Sequence, residues 1–192
     1  VRITSSSIVS GEGVIKINGT FTGTGTETFA HGVDLFASTI SATTGLIEIN
    51  GITATGGRGL SLQPGTRIQT TTGDIILRGY QNSVASNNTW GGISSREARI
   101  LSSTGQIELL GSKSFDVTDD YPGLFLENTT VASNGDLKFS SLGAALTWNN
   151  QAGTGIWDLN TSANFFSVIL KALERIQFTS PNNHVVTQET NA

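Results

Sequence analysis

The chain contains no cysteine, no methionine and only three prolines in 192 residues. Without cysteine there is no disulfide framework, no thiol nucleophile and no thiolate metal site. Methionine is missing even from the first position, so Val1 is not expected to be a translation start, and the chain reads as a processed or excised piece. No apolar run reaches the roughly 18 residues that a membrane-spanning helix needs. Charge is also scarce. Charged residues make up 14% of the chain, and 11 Lys and Arg against 15 Asp and Glu leave a net charge of −4. That balance lacks the basic stripe that a nucleic-acid or anionic-membrane surface requires, so neither nucleic-acid binding nor membrane insertion is expected. A cysteine-free composition fits an exported protein.

Glycine is abundant at 23 residues, and Ser, Thr and Asn fill much of the remainder. Such a composition could signal disorder, but 36% of residues are hydrophobic and they recur at regular intervals, so a core can form.

The recurrence is a repeat. Five segments share Gly-x-[Ile/Leu]-x-[Ile/Leu/Phe], beginning at Gly13, Gly45, Gly73, Gly105 and Gly135, with steps of 32, 28, 32 and 30 residues. Arg175-Ile176-Gln177-Phe178 is a sixth copy without the glycine. A second pattern, Gly-[Val/Leu]-x-Leu, leads the first at Gly32, Gly59 and Gly123, with weaker copies at Gly92-Ile93-Ser94-Ser95 and Gly155-Ile156-Trp157-Asp158. Between them sits a third apolar position: Ile8, Ile40, Ile68, Ile100 and Val131.

Within each repeat the apolar residues alternate, so each repeat holds two or three short strands. One repeat cannot bury its apolar face alone, whereas stacked repeats bury a continuous core. The expected fold is therefore all-β: a right-handed parallel β-helix of about six turns of about 30 residues, spanning 1–180 as one domain. Glycines are expected at corners that need left-handed or tight backbone. The arcs Gly51–Gly59, Gly79–Gly92 and Gly111–Gly123 vary in length, at 8, 13 and 12 residues, and are expected to form a side of variable loops. Phe165–Leu173 breaks the pattern, so 160–180 is read as a modified turn or a cap over the open end. Residues 181–192 form a polar tail.

The Gly-x-Ile-x-Leu-x-Gly strand, preceded by Gly-[Val/Leu]-x-Leu and followed by Ser/Thr-rich corners, resembles the repeat segments of filamentous-haemagglutinin-like bacterial exoproteins, and autotransporter passengers look similar. The resemblance covers roughly residues 1–180. It implies a parallel β-helix, a secreted or cell-surface location, and adhesion to host or cell-surface glycans or proteins. The family's secretion domain carries Asn-Pro-Asn signatures, which are absent here. The segment is thus expected to come from the shaft, either continuing into a longer chain or stacking end to end with a copy of itself.

The sequence offers three places for local chemistry. Arg67 and Arg99 share one column on adjacent turns and could hold an anion such as a sulfated or sialylated sugar; the plainer reading is that they splay into solvent or pair with Glu97 and Asp74. Tyr80, Trp90, Phe115, Tyr121 and Trp148 are expected in the variable arcs. Tyr80, Trp90 and Tyr121 are candidates for stacking on sugar rings, although they could equally pin loops to the scaffold. Asp116, Asp119 and Asp120 are weak calcium candidates in a loop where solvated charge is the simpler account.

Catalysis is not expected, nor is a cofactor. His31 lies three turns from Asp120, too far for an acid/base pair, and Gly56-Gly57-Arg58-Gly59-Leu60-Ser61-Leu62 places Ser61 where a calcium nonapeptide needs Asp. Two alternatives remain open at this point: a carbohydrate-active β-helix enzyme, meaning a polysaccharide lyase or hydrolase, and a self-associating surface-layer or filament subunit.

Overall fold

A computed structural model describes residues 1–23, 30–54, 56–82, 91–113, 123–142, 146–148, 156–161 and 175–178, with side chains through residue 140. Loop calls at Phe115 and within Phe165–Leu173, the tail 181–192, and the candidates Trp90, Asp116, Asp119, Asp120 and Tyr121 lie outside the described residues.

Three strands recur in each coil. The first coil contains β1 (Arg2–Thr4), β2 (Ser7–Ser10) and β3 (Ile15–Phe21). The same set returns as β4 (Val33–Phe36), β5 (Thr39–Ala42) and β6 (Ile47–Thr53), then as β7 (Leu60–Leu62), β8 (Arg67–Thr70) and β9 (Ile75–Gln81). It returns again as β10 (Ile93–Arg96), β11 (Arg99–Ser102) and β12 (Ile107–Lys113), and as β13 (Leu124–Glu127), β14 (Thr130–Ala132) and β15 (Leu137–Leu142). β16 (Leu146–Trp148), β17 (Ile156–Thr161) and β18 (Arg175–Phe178) follow. Each strand pairs in parallel with its counterpart one coil away, giving sheets of six, five and seven strands. The chain is a parallel β-solenoid.

The register is that of the repeat. In the third sheet Ile15, Ile47, Ile75, Ile107 and Leu137 are successive partners. In the second sheet Ile8, Ile40, Ile68, Ile100 and Val131 are. From Ile40 and Ile47 onward these side chains are fully buried, and those of the inner coils have a like residue on both sides. The strand expected as a weak copy at Gly92 is genuine. Ser95 occupies the inward leucine slot, wholly buried, and its hydroxyl is satisfied by Thr129 Oγ1 at 2.8 Å.

Three expectations need correction. The described residues form five three-strand coils, β1–β3 to β13–β15, which is about four turns from the first to the last against the six expected; β17 and β18 both join the third sheet. The Ile156 segment is not a first-sheet strand: Trp157 pairs with Leu137 in the third sheet, and the first sheet instead takes up Leu146–Trp148, so Trp148 lies in a strand.

Of the two grounds expected for the anchor glycines, tight approach holds and left-handed backbone does not. The left-handed corner lies between the first and second sheets, at Ser5, Ala37, Gly65, Glu97 and Asn128, with φ from 48° to 79°. Only one of those five is glycine. The anchors are glycine for space: a Cβ on Gly73 would overlap the carbonyl oxygen of Gly45, and one on Gly105 that of Gly73. Hydroxyls complete this corner, as Ser102 Oγ donates to Gly73 O at 3.1 Å and accepts from Gly105 N–H at 2.9 Å.

A second glycine contact closes the loop roots. A Cβ on Gly51 would overlap the Gly59 carbonyl, and the same holds for Gly79 with Gly92 and Gly111 with Gly123. Third-sheet strands end at residues 21, 53, 81 and 113, and first-sheet strands resume at 33, 60, 93 and 124. The variable arcs therefore all leave and re-enter along one edge of the solenoid.

Candidate functional site

The outward faces of the sheets differ. On the third sheet they are at least partly open to solvent and carry a charge ladder: Lys16 Nζ meets Glu48 at 2.9 Å, and Arg78 bridges Glu48 at 3.2 Å and Glu108 at 3.1 Å. Asn50 Nδ2 adds bonds of 2.9 Å to Glu48 Oε1 and to Asn18 Oδ1. The Asn50 bond first, and that from Lys16 second, hold the Glu48 carboxyl below its ordinary pKa.

On the first sheet the outward column is buried. Alternation turns Val33 and Leu35 into the core and Asp34 out, yet Asp34, Ser61 and Ser94, aligned on successive coils, are only 3%, 1% and 4% exposed. Each small polar side chain here must find a partner, since burial without one costs roughly 1–3 kcal/mol. Asp34 Oδ1 accepts from Gln63 Nε2 at 2.6 Å, and Asp34 Oδ2 lies 3.4 Å from Arg2 Nε. Ser61 Oγ accepts from Arg58 Nη1 at 3.4 Å.

This column opens into a cleft of about 500 Å³ lined by His31, Arg58, Ser61, Ser94, Arg96 and Glu127, among others. His31 and Arg58 each stand just before a first-sheet strand, on consecutive coils. Gly32 N–H bonds Arg58 O at 3.1 Å, and the Arg58 main-chain N–H donates to His31 Nδ1 at 3.1 Å. Nδ1 is thereby an acceptor, so the imidazole is neutral with its proton on Nε2. Burial, reinforced by the Arg58 charge, pushes the His31 pKa down to about 4. Burial and the neighbouring Arg96 guanidinium likewise lower the Arg58 pKa to about 10. Arg96 Nε pairs with Glu127 Oε2 at 2.8 Å, and its guanidinium stands 5.8 Å from the centroid of the Phe125 ring. The cleft therefore combines the guanidinium groups of Arg58 and Arg96, the carboxyl groups of Glu97 and Glu127, two hydroxyls and a neutral imidazole. That set suits recognition of a polar group.

The chain matches no family model, no curated protein and no solved structure.

The residues singled out from sequence lie elsewhere. Arg67 and Arg99 are direct neighbours on β8 and β11, as their spacing requires, and both are exposed. Arg67 Nε donates to Gln69 Oε1. Neither arginine forms an ion pair with a described residue, and Asp74 Oδ1 instead accepts from Gln106 N–H at 2.8 Å. Tyr80 was expected in a loop; it is half-buried within strand β9, between Ile52 and Ser112 of the neighbouring coils. Among the described residues no group of three His, Asp or Glu could hold a metal ion, and no helix is long and apolar enough to cross a membrane.

The buried cluster of His31, Asp34, Arg58 and Ser61 went unrecognised in the sequence. Its signal was available: the repeat period, applied to outward positions of the Gly-Val-x-Leu strand, places Arg2, Asp34, Ser61 and Ser94 in one column.

Proposed function

We propose that this chain is a structural and adhesive segment of a secreted or cell-surface bacterial exoprotein of the filamentous-haemagglutinin-like kind. It would act as a rod whose flank, and not an enclosed active site, meets host or cell-surface glycans or proteins. One observation carries the reading: arcs of unequal length leave and re-enter along a single edge, beside a polar cleft, while the rest of each coil keeps strict register. A stacked core fixes the spacing of everything displayed on it, and variable connections on a rigid scaffold are where recognition resides.

The test is to coat beads with the purified protein and challenge them with a glycan array, matrix proteins and cell monolayers, alongside a turnover assay on acidic polysaccharides. The expected result is saturable binding to at least one surface with no polysaccharide cleaved. Cleavage of polysaccharide, lost in Asp120→Ala, would replace this reading with the enzymatic one. Absence of binding to every surface would remove the adhesive role.

A further inference from the structure

We propose that the outer face of the second sheet binds a sulfate or phosphate ester group of a polysaccharide, held between the guanidinium groups of Arg67 and Arg99. The proposal deepens the adhesive reading by naming a ligand class and rests on it for its biological sense, though the binding itself can be measured separately.

The argument starts from an imbalance of charge. The strands of the second sheet, Ser7–Ser10, Thr39–Ala42, Arg67–Thr70, Arg99–Ser102 and Thr130–Ala132, contain no carboxylate, although acids outnumber bases in the chain by 15 to 11. Their only charged residues are Arg67 and Arg99, direct partners on adjacent parallel strands and so about 4.8 Å apart at the backbone. On the other sheets an arginine meets an acid one coil away: Arg2 meets Asp34, Arg78 meets Glu48 and Glu108, and Arg96 meets Glu127. Of the carboxylates closest in sequence to the pair, Glu97 lines the first-sheet cleft and Asp74 Oδ1 accepts from Gln106 N–H at 2.8 Å. Like charges opposed across a ladder repel, and an anion between them removes that repulsion.

Both side chains are exposed and their donors are open. Among the described residues the Arg67 guanidinium makes one bond, from Nε to Gln69 Oε1, and the Arg99 guanidinium makes none. The Gln69 bond steadies Arg67 and leaves the donors on both terminal nitrogens unused. A sulfate or phosphate ester presents three terminal oxygens spread in space, so it can accept from two guanidinium groups on neighbouring strands at once. A carboxylate presents two in one plane, matched to a single guanidinium. Beside Arg67 lies a groove of about 320 Å³, lined by Gln69, Thr71, Leu101 and Ser103 among others and by no carboxylate. Its amide and hydroxyls suit sugar hydroxyls, and half-buried Leu101 offers an apolar patch to a ring face. The variable arcs join the third sheet to the first, so their roots stand clear of this face. Exposed charges gain little from one pairing in water, so the ligand is a polymer that repeats the ester, and its hold weakens with salt.

The probes are dextran sulfate and dextran phosphate, which distinguish the two esters. They are compared with plain dextran, which lacks the charge, and with hyaluronate, whose charges are carboxylates alone. Binding to the full chain is followed by isothermal titration in dilute buffer and in about 1 M salt, where charges are screened within about 3 Å. At least one ester is expected to bind in dilute buffer and to be released by salt, with hyaluronate about tenfold or more weaker and plain dextran not bound. Arg67→Gln and Arg99→Gln should each weaken binding about fivefold, and the double variant about tenfold or more. Lys16→Gln, on the third sheet, should change nothing. Removing one of two opposed cations should leave the melting temperature unchanged or raised, so lost binding is separable from lost folding.

Equal binding of hyaluronate and the esters, binding indifferent to Arg67 and Arg99, or no binding of either ester would overturn the assignment. Surface adhesion that survives the double variant would sink this site but leave the adhesive reading intact. Ester binding, lost in the double variant, by a protein that adheres to no surface would do the reverse.

Discussion

The main-chain N–H of Arg58 donates to Nδ1 of His31 at 3.1 Å, tying together two consecutive coils at the mouth of the cleft. The bond exists only while the imidazole is neutral at Nδ1. Since the His31 pKa in the fold is depressed to about 4 from an ordinary 6.5, the unfolded chain takes up a proton at this residue before the folded one does. Its contribution is fully present above pH 6.5 and is lost as the pH falls toward 4, on the order of 3 kcal/mol over that window. Urea denaturation at pH 7, 5 and 4 should show a falling midpoint, and His31→Asn should flatten the fall. An unchanged pH profile in that variant would assign the acid sensitivity elsewhere.

The anchor glycines predict a steep steric penalty. Gly105→Ala would drive a methyl group into the Gly73 carbonyl, so destabilisation of about 3 kcal/mol or more is expected. Gly11→Ala, where nothing lies within 4 Å of the added carbon, should change stability by less than about 0.5 kcal/mol. Comparing the two melting temperatures tests the glycine ladder directly; equal effects would refute it.

How much of this was legible from sequence depends on what repetition records. Stacking like on like leaves Ile47, Ile75 and Ile107 at a near-constant interval, so the core and its register could be read without coordinates. Ser95 in a leucine slot weakened the signal without breaking it, because a hydroxyl can be satisfied locally by Thr129. Trp157 was assigned to the wrong sheet because a lone Gly-Ile-Trp cannot tell the first sheet from the third. The cleft was harder to see. Asp34, Arg58 and Ser94 are different residue types far apart in the chain, and their burial depends on what covers the outer face, which periodicity does not encode.

Gln81 is wholly buried in line with Thr53 and Lys113, and neither its amide oxygen nor its amide nitrogen has a hydrogen-bond partner among the described residues. Gln81→Met, close in volume, removes both groups. It should raise stability by about 1–3 kcal/mol, read as a higher denaturation midpoint. A loss of stability would show that the amide is engaged in solution.

The charge ladder should matter modestly and in a salt-dependent way. Arg78 contacts two carboxylates, Glu48 and Glu108, on either neighbouring coil. Arg78→Met should cost roughly 0.5–1 kcal/mol in dilute buffer, and the difference should shrink in about 1 M salt, where charges are screened within about 3 Å. A cost that is independent of salt would point to lost packing of the arginine stem instead.

The account depends first on coil lying upon coil with side chains in register, and methyl NMR tests that most directly. In protein labelled at the isoleucine δ1 methyls, Ile75 should give strong cross-peaks to both Ile47 and Ile107, its partners about 4.8 Å away on either side. The Ile47–Ile107 pair should give a far weaker one. Cross-peaks from Ile75 to neither residue, or to residues outside its column, would contradict the stacked solenoid and everything placed on its flank.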